Sequence, residues 1–169
     1  MPKEMAKIIQ SLSYRHGAYQ VFGDFLELSA ISISNAVDTR QFDDREKRYM
    51  EVIKRYEKKE LDEFPKLLGL LINELERGHN DVLGSLFHEL ELHNEHKGQF
   101  FTPYHLCRMM AKMTLDDSVK SKIDERGFIT ANEPACGSGA MAIAFAEEMK
   151  SRDLNYQQAL HVIATDLDI

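Results

Sequence analysis

Hydrophobic residues recur at intervals of three and four along the first 96 residues, with few helix-breaking residues between them. This spacing places apolar side chains on one face of a helix, so it predicts packed amphipathic helices. Asp43 indicates the start of a second helix, and a third helix is predicted over about 60–76. Asn80 or Asp81 indicates the start of a fourth helix. The apolar stripes are Val21, Phe22, Phe25, Leu26, Leu28 and Ile31; Tyr49, Val52, Ile53 and Tyr56; Phe64, Leu67, Leu68, Leu71, Ile72 and Leu75; and Val82, Leu83, Leu86, Phe87 and Leu90.

The pattern changes after residue 97. Thr102 and Pro103 suit the N-cap and first position of a helix, and Pro103 lacks only an N–H that would be unpaired there. The apolar side of this helix would carry Leu106, Met109, Met110 and Met113. A polar connection is expected over 118–126.

Two short strands are predicted downstream, around Phe128 and Ile129 and over 160–165, where β-branched residues are frequent. Between them a turn over 133–139, with two glycines, leads into an alanine-rich helix. The sequence therefore predicts an α/β fold, with a helical region over 1–97 and the beginning of an α/β domain over 98–169.

The glycine-rich turn (residues 133–139) is a candidate ligand site. Gly137 and Gly139 allow a sharp turn, and the helix that follows presents backbone N–H groups to a nucleotide or an anion. Asp166 ends the next strand, 27 residues beyond Gly139, where a carboxylate suits ribose hydroxyls. Both features also have structural explanations, because glycines shape ordinary turns and aspartates often end strands.

Composition narrows the range of functions. The net charge of −7 and the lack of a clustered basic region argue against strong DNA binding by this chain alone. The sequence has no apolar run long enough to span a bilayer and no recognisable secretory signal, which predicts a soluble cytoplasmic protein without membrane partners.

The spacing of the histidines and cysteines does not indicate a metal site. His79, His88, His93 and His96 are close in sequence, but His88 and His93 are five residues apart, unlike the four-residue spacing of a helical zinc pair. Cys107 and Cys136 have no CxxC partner, so we expect reduced thiols.

The sequence contains GQFFTP at 98–103, EPACGSG at 133–139 and TDLD at 165–168. Together these three segments resemble adenine-N6 DNA methyltransferases, particularly the modification subunits of type I restriction-modification systems. EPACGSG at 133–139 resembles their first S-adenosylmethionine motif. GQFFTP at 98–103 resembles the segment that precedes this motif, and TDLD at 165–168 resembles their acidic second motif. The resemblance implies a Rossmann-like methyltransferase domain that uses S-adenosylmethionine for DNA methylation, with an incomplete sheet over 98–169.

The resemblance also implies which residues hold the cofactor. Thr102 and Pro103, with Phe101 nearby, would hold its methionine end, and Glu133 would face the methionine amino group. Asp166 would take the ribose hydroxyls, and Leu167 would pack on the adenine. Phe101 could instead be an ordinary core aromatic, and Cys136 is expected to be a packed residue without a catalytic role. The turn residues implied are Glu133, Pro134, Ala135, Cys136, Gly137, Ser138 and Gly139.

The family's catalytic motif, (N/D/S)PP(Y/F), does not occur in the sequence, because none of the four prolines is next to another. No catalytic residue is therefore assigned. We expect a fragment or a shortened protein that is inactive alone, with DNA contacted through parts outside this chain and a specificity or restriction subunit as a candidate partner. An unfinished sheet also predicts a homodimer or packing of 98–169 on the helical region.

Two other functions remain open. A non-enzymatic interaction protein would use the helical region and keep the α/β segment as a relic. A dinucleotide-binding oxidoreductase fits less well, because the turn lacks the third glycine of GxGxxG.

Overall fold

The computed structural model describes residues 2–78, 80–92 and 101–166. Over these residues the chain is mostly helical and contains a two-stranded parallel sheet. The described residues form two compact units, one within Met1–Glu74 and Ser85–His93 and one within Leu75–Gly84 and Asn94–Ile169. The elements are α1 (Pro2–His16), α2 (Ala18–Val37), α3 (Phe42–Ile53), α4 (Lys58–Leu61), α5 (Glu63–Leu75), α6 (Val82–Glu89), α7 (Tyr104–Thr114), α8 (Val119–Arg126), β1 (Ile129–Glu133), α9 (Ala140–Ser151), α10 (Tyr156–Ala159) and β2 (Leu160–Ala164).

The first unit is a set of helices, and most side chains of their predicted apolar stripes are buried or half-buried. Ile72 and Leu75, which the prediction placed on the stripe of the third helix, are exposed. Asp43 lies in the first turn of α3, where its charge favours the helix N-terminus. The third predicted helix corresponds mainly to α5. The prediction of one continuous helix from about residue 60 was wrong, because Asp62 interrupts it between α4 and α5. Pro65 has no N–H to donate to the carbonyl of Leu61, which removes one helical hydrogen bond at the break. The buried core includes Met5, Ile9, Val21, Phe25, Val52, Leu67 and Leu86.

Asp24 is a buried carboxylate on α2 with three hydrogen-bond donors. Its oxygens accept bonds from the Tyr56 hydroxyl at 2.6 Å, Arg55 Nη1 at 2.8 Å and Gln20 Nε2 at 2.8 Å. Burial, followed by the bond to Asp24, raises the pKa of Tyr56, so its hydroxyl stays neutral and keeps donating. These bonds join α2 to the segment that follows α3.

Glu60 joins the end of α1 to α4. Its carboxylate accepts a hydrogen bond from the Glu57 N–H at 2.7 Å and another from Arg15 Nη1 at 3.1 Å. His16 Nε2 lies 3.2 Å from the same carboxylate. The Glu57 N–H is the main cause that holds the pKa of Glu60 below its usual value; burial acts against it, and His16 and Arg15 lower the pKa further.

The second unit contains the two predicted strands, and both predictions are confirmed. β1 and β2 pair in parallel, with Ile129 beside Leu160 and Glu133 beside Ala164, so their carboxyl ends lie level. Ile129 and Leu160 pack on a buried cluster of side chains from neighbouring elements. This unit is compatible with an α/β fold. The cluster consists of Leu115, Val119, Met149 and Ala159.

The polar connection predicted over 118–126 was wrong, because these residues form α8. Asp116 Oδ1 accepts a hydrogen bond from the Ser118 N–H at 2.9 Å just before the helix begins. Val119 and Ile123, one helical turn apart, reach the buried cluster of the second unit. Packing of only two apolar residues therefore stabilises a helix that is otherwise polar.

The buried face of α7 also differs from the prediction. Cys107 and Ala111 are fully buried and form a cluster with Ala140 and Ala144 of α9. The small residues let the two helices approach closely, and this contact turns the larger apolar residues outward. The helix begins at Tyr104 with Pro103 as its N-cap, so the prediction of Thr102 as the cap was wrong by one residue. The outward residues are Leu106, Met109, Met110 and Met113.

No helix within the described residues has both the length and the apolar character that crossing a membrane requires.

Candidate functional site

The glycine-rich turn connects β1 to α9 and is bonded to the end of β2. The Thr165 N–H donates to the carbonyl of Glu133 at 2.9 Å, which extends the parallel ladder beyond Ala164. The Cys136 N–H then donates to the carbonyl of Thr165 at 2.9 Å. The path of the turn is therefore set by backbone bonds to a segment about 30 residues away in sequence.

Asp166 adds a side-chain bond to the same arrangement. Its Oδ2 accepts a hydrogen bond from the Gly137 N–H at 2.7 Å. The structure thus brings together the turn and the strand-end aspartate, which sequence spacing had only suggested to be neighbours. Both groups lie at the carboxyl ends of β1 and β2, the edge where open α/β sheets bind ligands.

Both glycines of the GSG segment have positive φ angles. Gly137 has φ +49° and Gly139 has φ +79°, a left-handed conformation that glycine adopts without the steric cost of a Cβ. The Gly139 N–H donates to the carbonyl of Cys136 at 2.8 Å, which closes the turn just before Ala140 starts α9. The first turn of α9 then offers backbone N–H groups that have no partner within the helix.

Phe101 lies against this turn. A Cβ placed on Gly137 would be 3.0 Å from Phe101 Cδ1 and 3.2 Å from its Cε1, so the ring occupies the space that any larger residue at 137 would need. Thr102 and Pro103 follow directly and are exposed. The segment before α7 and the glycine-rich turn therefore form one site.

Two polar side chains of the turn differ in their bonding. Glu133 Oε1 accepts a hydrogen bond from the Ala135 N–H at 3.3 Å, so this carboxylate faces the turn. Ser138 Oγ is buried and has no hydrogen-bond partner among the described residues. A buried hydroxyl without a partner is costly, and it marks a place where a ligand group could bond.

The sequence analysis did not predict a polar contact between α7 and α9, the helix that follows the glycine-rich turn. The Tyr104 hydroxyl donates to Glu147 Oε2 at 2.7 Å, and Arg108 Nε lies 3.2 Å from the same oxygen. Burial and the bond to Glu147 raise the pKa of Tyr104, so it remains a donor. The four-residue spacing of Tyr104 and Arg108 places both on one helix face, but nothing in the sequence links that face to Glu147.

Cys107 and Cys136 are both free cysteines. Burial, with a smaller effect from Asp81, raises the pKa of Cys107, which keeps this thiol protonated. Cys107 serves the contact between α7 and α9.

Residues 80–163 match the family model described as N-6 DNA Methylase. The matched segment belongs to this family. The segment that matches the N-6 DNA methylase model includes Phe101, the whole glycine-rich turn, all of β1 and β2 except its last residue, Ala164. Asp166 lies just beyond the matched segment. Neither a curated protein nor a solved structure matched the chain.

Some predicted site residues lie outside the described residues. Leu167, the residue expected at the adenine, is one of them, and so are residues 98–100 of the GQFFTP segment. His79, His93 and His96 are also outside. Within the described ranges, no three histidine, cysteine or acidic side chains form a group that could hold a metal ion.

Proposed function

We propose that this chain binds S-adenosylmethionine at the glycine-rich turn, as part of an adenine-N6 DNA methyltransferase of the restriction-modification type. The observation that carries the proposal is the meeting of Phe101, Gly137 and Asp166 at the carboxyl ends of two parallel strands. In this proposal the strands belong to a Rossmann-like sheet, and the bound cofactor supplies an activated methyl group.

The residue roles follow from charge and position. Asp166 would accept hydrogen bonds from the ribose hydroxyls, since the two oxygens of a carboxylate offer about four acceptor sites. Glu133 would attract the methionine amino group through opposite charge. Phe101, Thr102 and the adjoining Pro103 would border the methionine end. Leu167 would pack on the adenine.

Two features of the turn fit a ligand of this kind. The orphaned hydroxyl of Ser138 would gain a partner in a polar group of the cofactor. Among the described residues, no atom lies within 4 Å of the position that a Cβ on Gly139 would take, so these residues leave open space beside the start of α9. A backbone without side chains there allows close approach of a ligand.

The proposal concerns cofactor binding and leaves base recognition to other residues. The double-proline motif that would hold the flipped adenine is not in the sequence. The net charge of −7 also argues against tight DNA binding by these residues alone. We therefore propose that DNA contact and methyl transfer need a partner chain, such as a specificity or restriction subunit, or a further part of the enzyme.

Isothermal titration calorimetry tests the proposal. Wild-type protein should bind S-adenosylmethionine and should not bind NAD, the ligand that a dinucleotide-binding domain would prefer. Asp166→Ala should weaken binding about tenfold or more, because bonds to a charged acceptor are lost. Unchanged affinity in this variant would refute the ribose assignment. A folded wild-type protein that does not bind S-adenosylmethionine would favour a non-enzymatic interaction protein.

A further inference from the structure

Among the residues that the structure describes, three hydrogen bonds join the glycine-rich turn to the end of β2, and one of these three depends on a side chain. The Thr165 and Cys136 N–H groups take part in backbone bonds, which most substitutions would preserve. The third bond joins the Gly137 N–H to Asp166 Oδ2 at 2.7 Å. A substitution of Asp166 therefore removes one of these bonds directly.

We infer that Asp166 is a positioning residue that fixes the glycine-rich turn in its ligand-binding conformation before any ligand arrives. The inference rests on the proposed function, because it assumes that the turn binds a ligand. It assigns the carboxylate of Asp166 a second task beside ribose binding. It concerns the free protein, so it is measurable without a ligand.

The composition of the turn explains why it needs such a bond. Glycines have more backbone freedom than other residues, so ordering Gly137 and Gly139 at positive φ costs more conformational entropy. A hydrogen bond from a backbone N–H to a carboxylate is stronger than one between neutral groups. Asp166 therefore offsets part of the cost of ordering the turn, and a ligand meets N–H groups that already point in fixed directions.

Substitution can separate the two tasks of Asp166. An asparagine at 166 keeps one carbonyl oxygen that can accept the Gly137 bond, but it loses the charge and the second acceptor oxygen that a ribose diol would use. An alanine loses both. Asp166→Asn should therefore keep the turn ordered and weaken ligand binding. Asp166→Ala should both loosen the turn and weaken ligand binding.

Hydrogen exchange of single amides, measured by NMR on the ligand-free protein, tests the inference. In Asp166→Ala the Gly137 amide should exchange at least about tenfold faster than in the wild type. The Gly139 amide is the decisive probe, because it bonds to Cys136 and not to Asp166. Faster exchange at Gly139 would show that the whole turn has loosened. In Asp166→Asn both amides should stay within about threefold of the wild type.

Asp117→Asn is the matched control, since it removes the same charge from an exposed site. Its neighbour Asp116 accepts a hydrogen bond from Arg152 just beyond the last residue of α9. The twelve residues of α9 separate that end from the turn by about 18 Å. This variant should leave the Gly137 and Gly139 amides unchanged.

Two results would overturn the inference: wild-type exchange at Gly139 in Asp166→Ala, or equal acceleration at Gly139 in the asparagine and alanine variants. If Asp166→Ala fails to fold, the amides of β2 will exchange freely as well. Asp166→Asn then tests the inference by itself, and acceleration at Gly139 beyond about threefold would overturn it. Calorimetry with S-adenosylmethionine is a separate arm. Loosening of the turn in a protein that does not bind S-adenosylmethionine would uphold the positioning role and reject the proposed function.

Discussion

The ring of Phe101 rests on Gly137 so closely that a methyl group at 137 would come within 3.0 Å of the ring. This contact joins the segment before α7 to the glycine-rich turn, although 36 residues separate them in sequence. It requires glycine at 137 for two reasons, the positive φ angle and the space that the ring fills.

Gly137→Ala should therefore damage the site more than an ordinary turn substitution. The left-handed backbone costs an alanine about 1 kcal/mol, and the contact forces Phe101 to move. We expect shifted ring resonances for Phe101 in NMR spectra and weaker binding of S-adenosylmethionine in calorimetry.

Gly127→Ala provides the control for this prediction. Gly127 also has a positive φ, +83°, but no atom of the described part of the chain lies within 4 Å of the position that its Cβ would take. This variant should lose a similar amount of stability and keep the wild-type Phe101 resonances. Unshifted Phe101 resonances in Gly137→Ala would contradict the predicted displacement of the ring.

The bond between Tyr104 and Glu147 should contribute modestly to the second unit. Tyr104→Phe removes the hydroxyl, but Arg108 still pairs with Glu147, so the carboxylate is not left alone. We expect a loss of about 0.5–1.5 kcal/mol in the free energy of unfolding, measured by urea denaturation. Tyr14→Phe, at a residue that is 98 % exposed, is the control and should change nothing measurable. Equal effects in the two variants would show that the bond contributes no stability.

Loss of the buried carboxylate of Asp24 should be the most destabilising of these changes. Asp24→Ala leaves the Tyr56 hydroxyl buried without an acceptor, and we expect a cost of about 2–4 kcal/mol. Asp24→Asn keeps one acceptor oxygen and should cost less. Urea denaturation followed by circular dichroism measures both. Asp62→Asn, at an exposed site, should stay within about 0.5 kcal/mol of the wild type, and an Asp24→Ala variant equally close to it would contradict the prediction.

Glu60 should make stability depend on pH in the acid range. Its pKa is lowered in the folded state, chiefly by the Glu57 N–H. Because the pKa of Glu60 is lower in the folded than in the unfolded state, its contribution to the free energy of unfolding is fully present above the unfolded pKa, near 4.5. This contribution is lost as the pH falls through the pKa of the folded state. Glu60→Gln should therefore differ most from the wild type above pH 4.5, and the difference should shrink below it.

Urea denaturation at a series of pH values measures this effect. Glu125→Gln, which removes the same charge from an exposed position on α8, is the control. A constant difference between Glu60→Gln and the wild type from neutral pH down to pH 2 would contradict the assignment.

Local patterns predicted most elements of the chain. The stripe from Val21 to Ile31 identified α2, and the β-branched run after Leu160 identified β2, because their burial follows directly from helical or strand periodicity. The helix α8 was missed, since only Val119 and Ile123 pack against the cluster that stabilises it. No pattern within 118–126 shows that such a cluster exists.

The sequence by itself determined the glycine-rich turn and the family match. A positive φ angle that needs glycine and the start of a helix are both local requirements, so one continuous stretch of residues specifies them. Only the tertiary structure decided which face of α7 is buried. The side with the larger apolar residues, including Met109 and Met113, is exposed, because the small Cys107 and Ala111 fit against the alanines of α9. The parallel register of β1 and β2 likewise decided that Asp166 meets Gly137. Contacts between distant residues depend on the packing of whole elements, and spacing along the chain does not specify that packing.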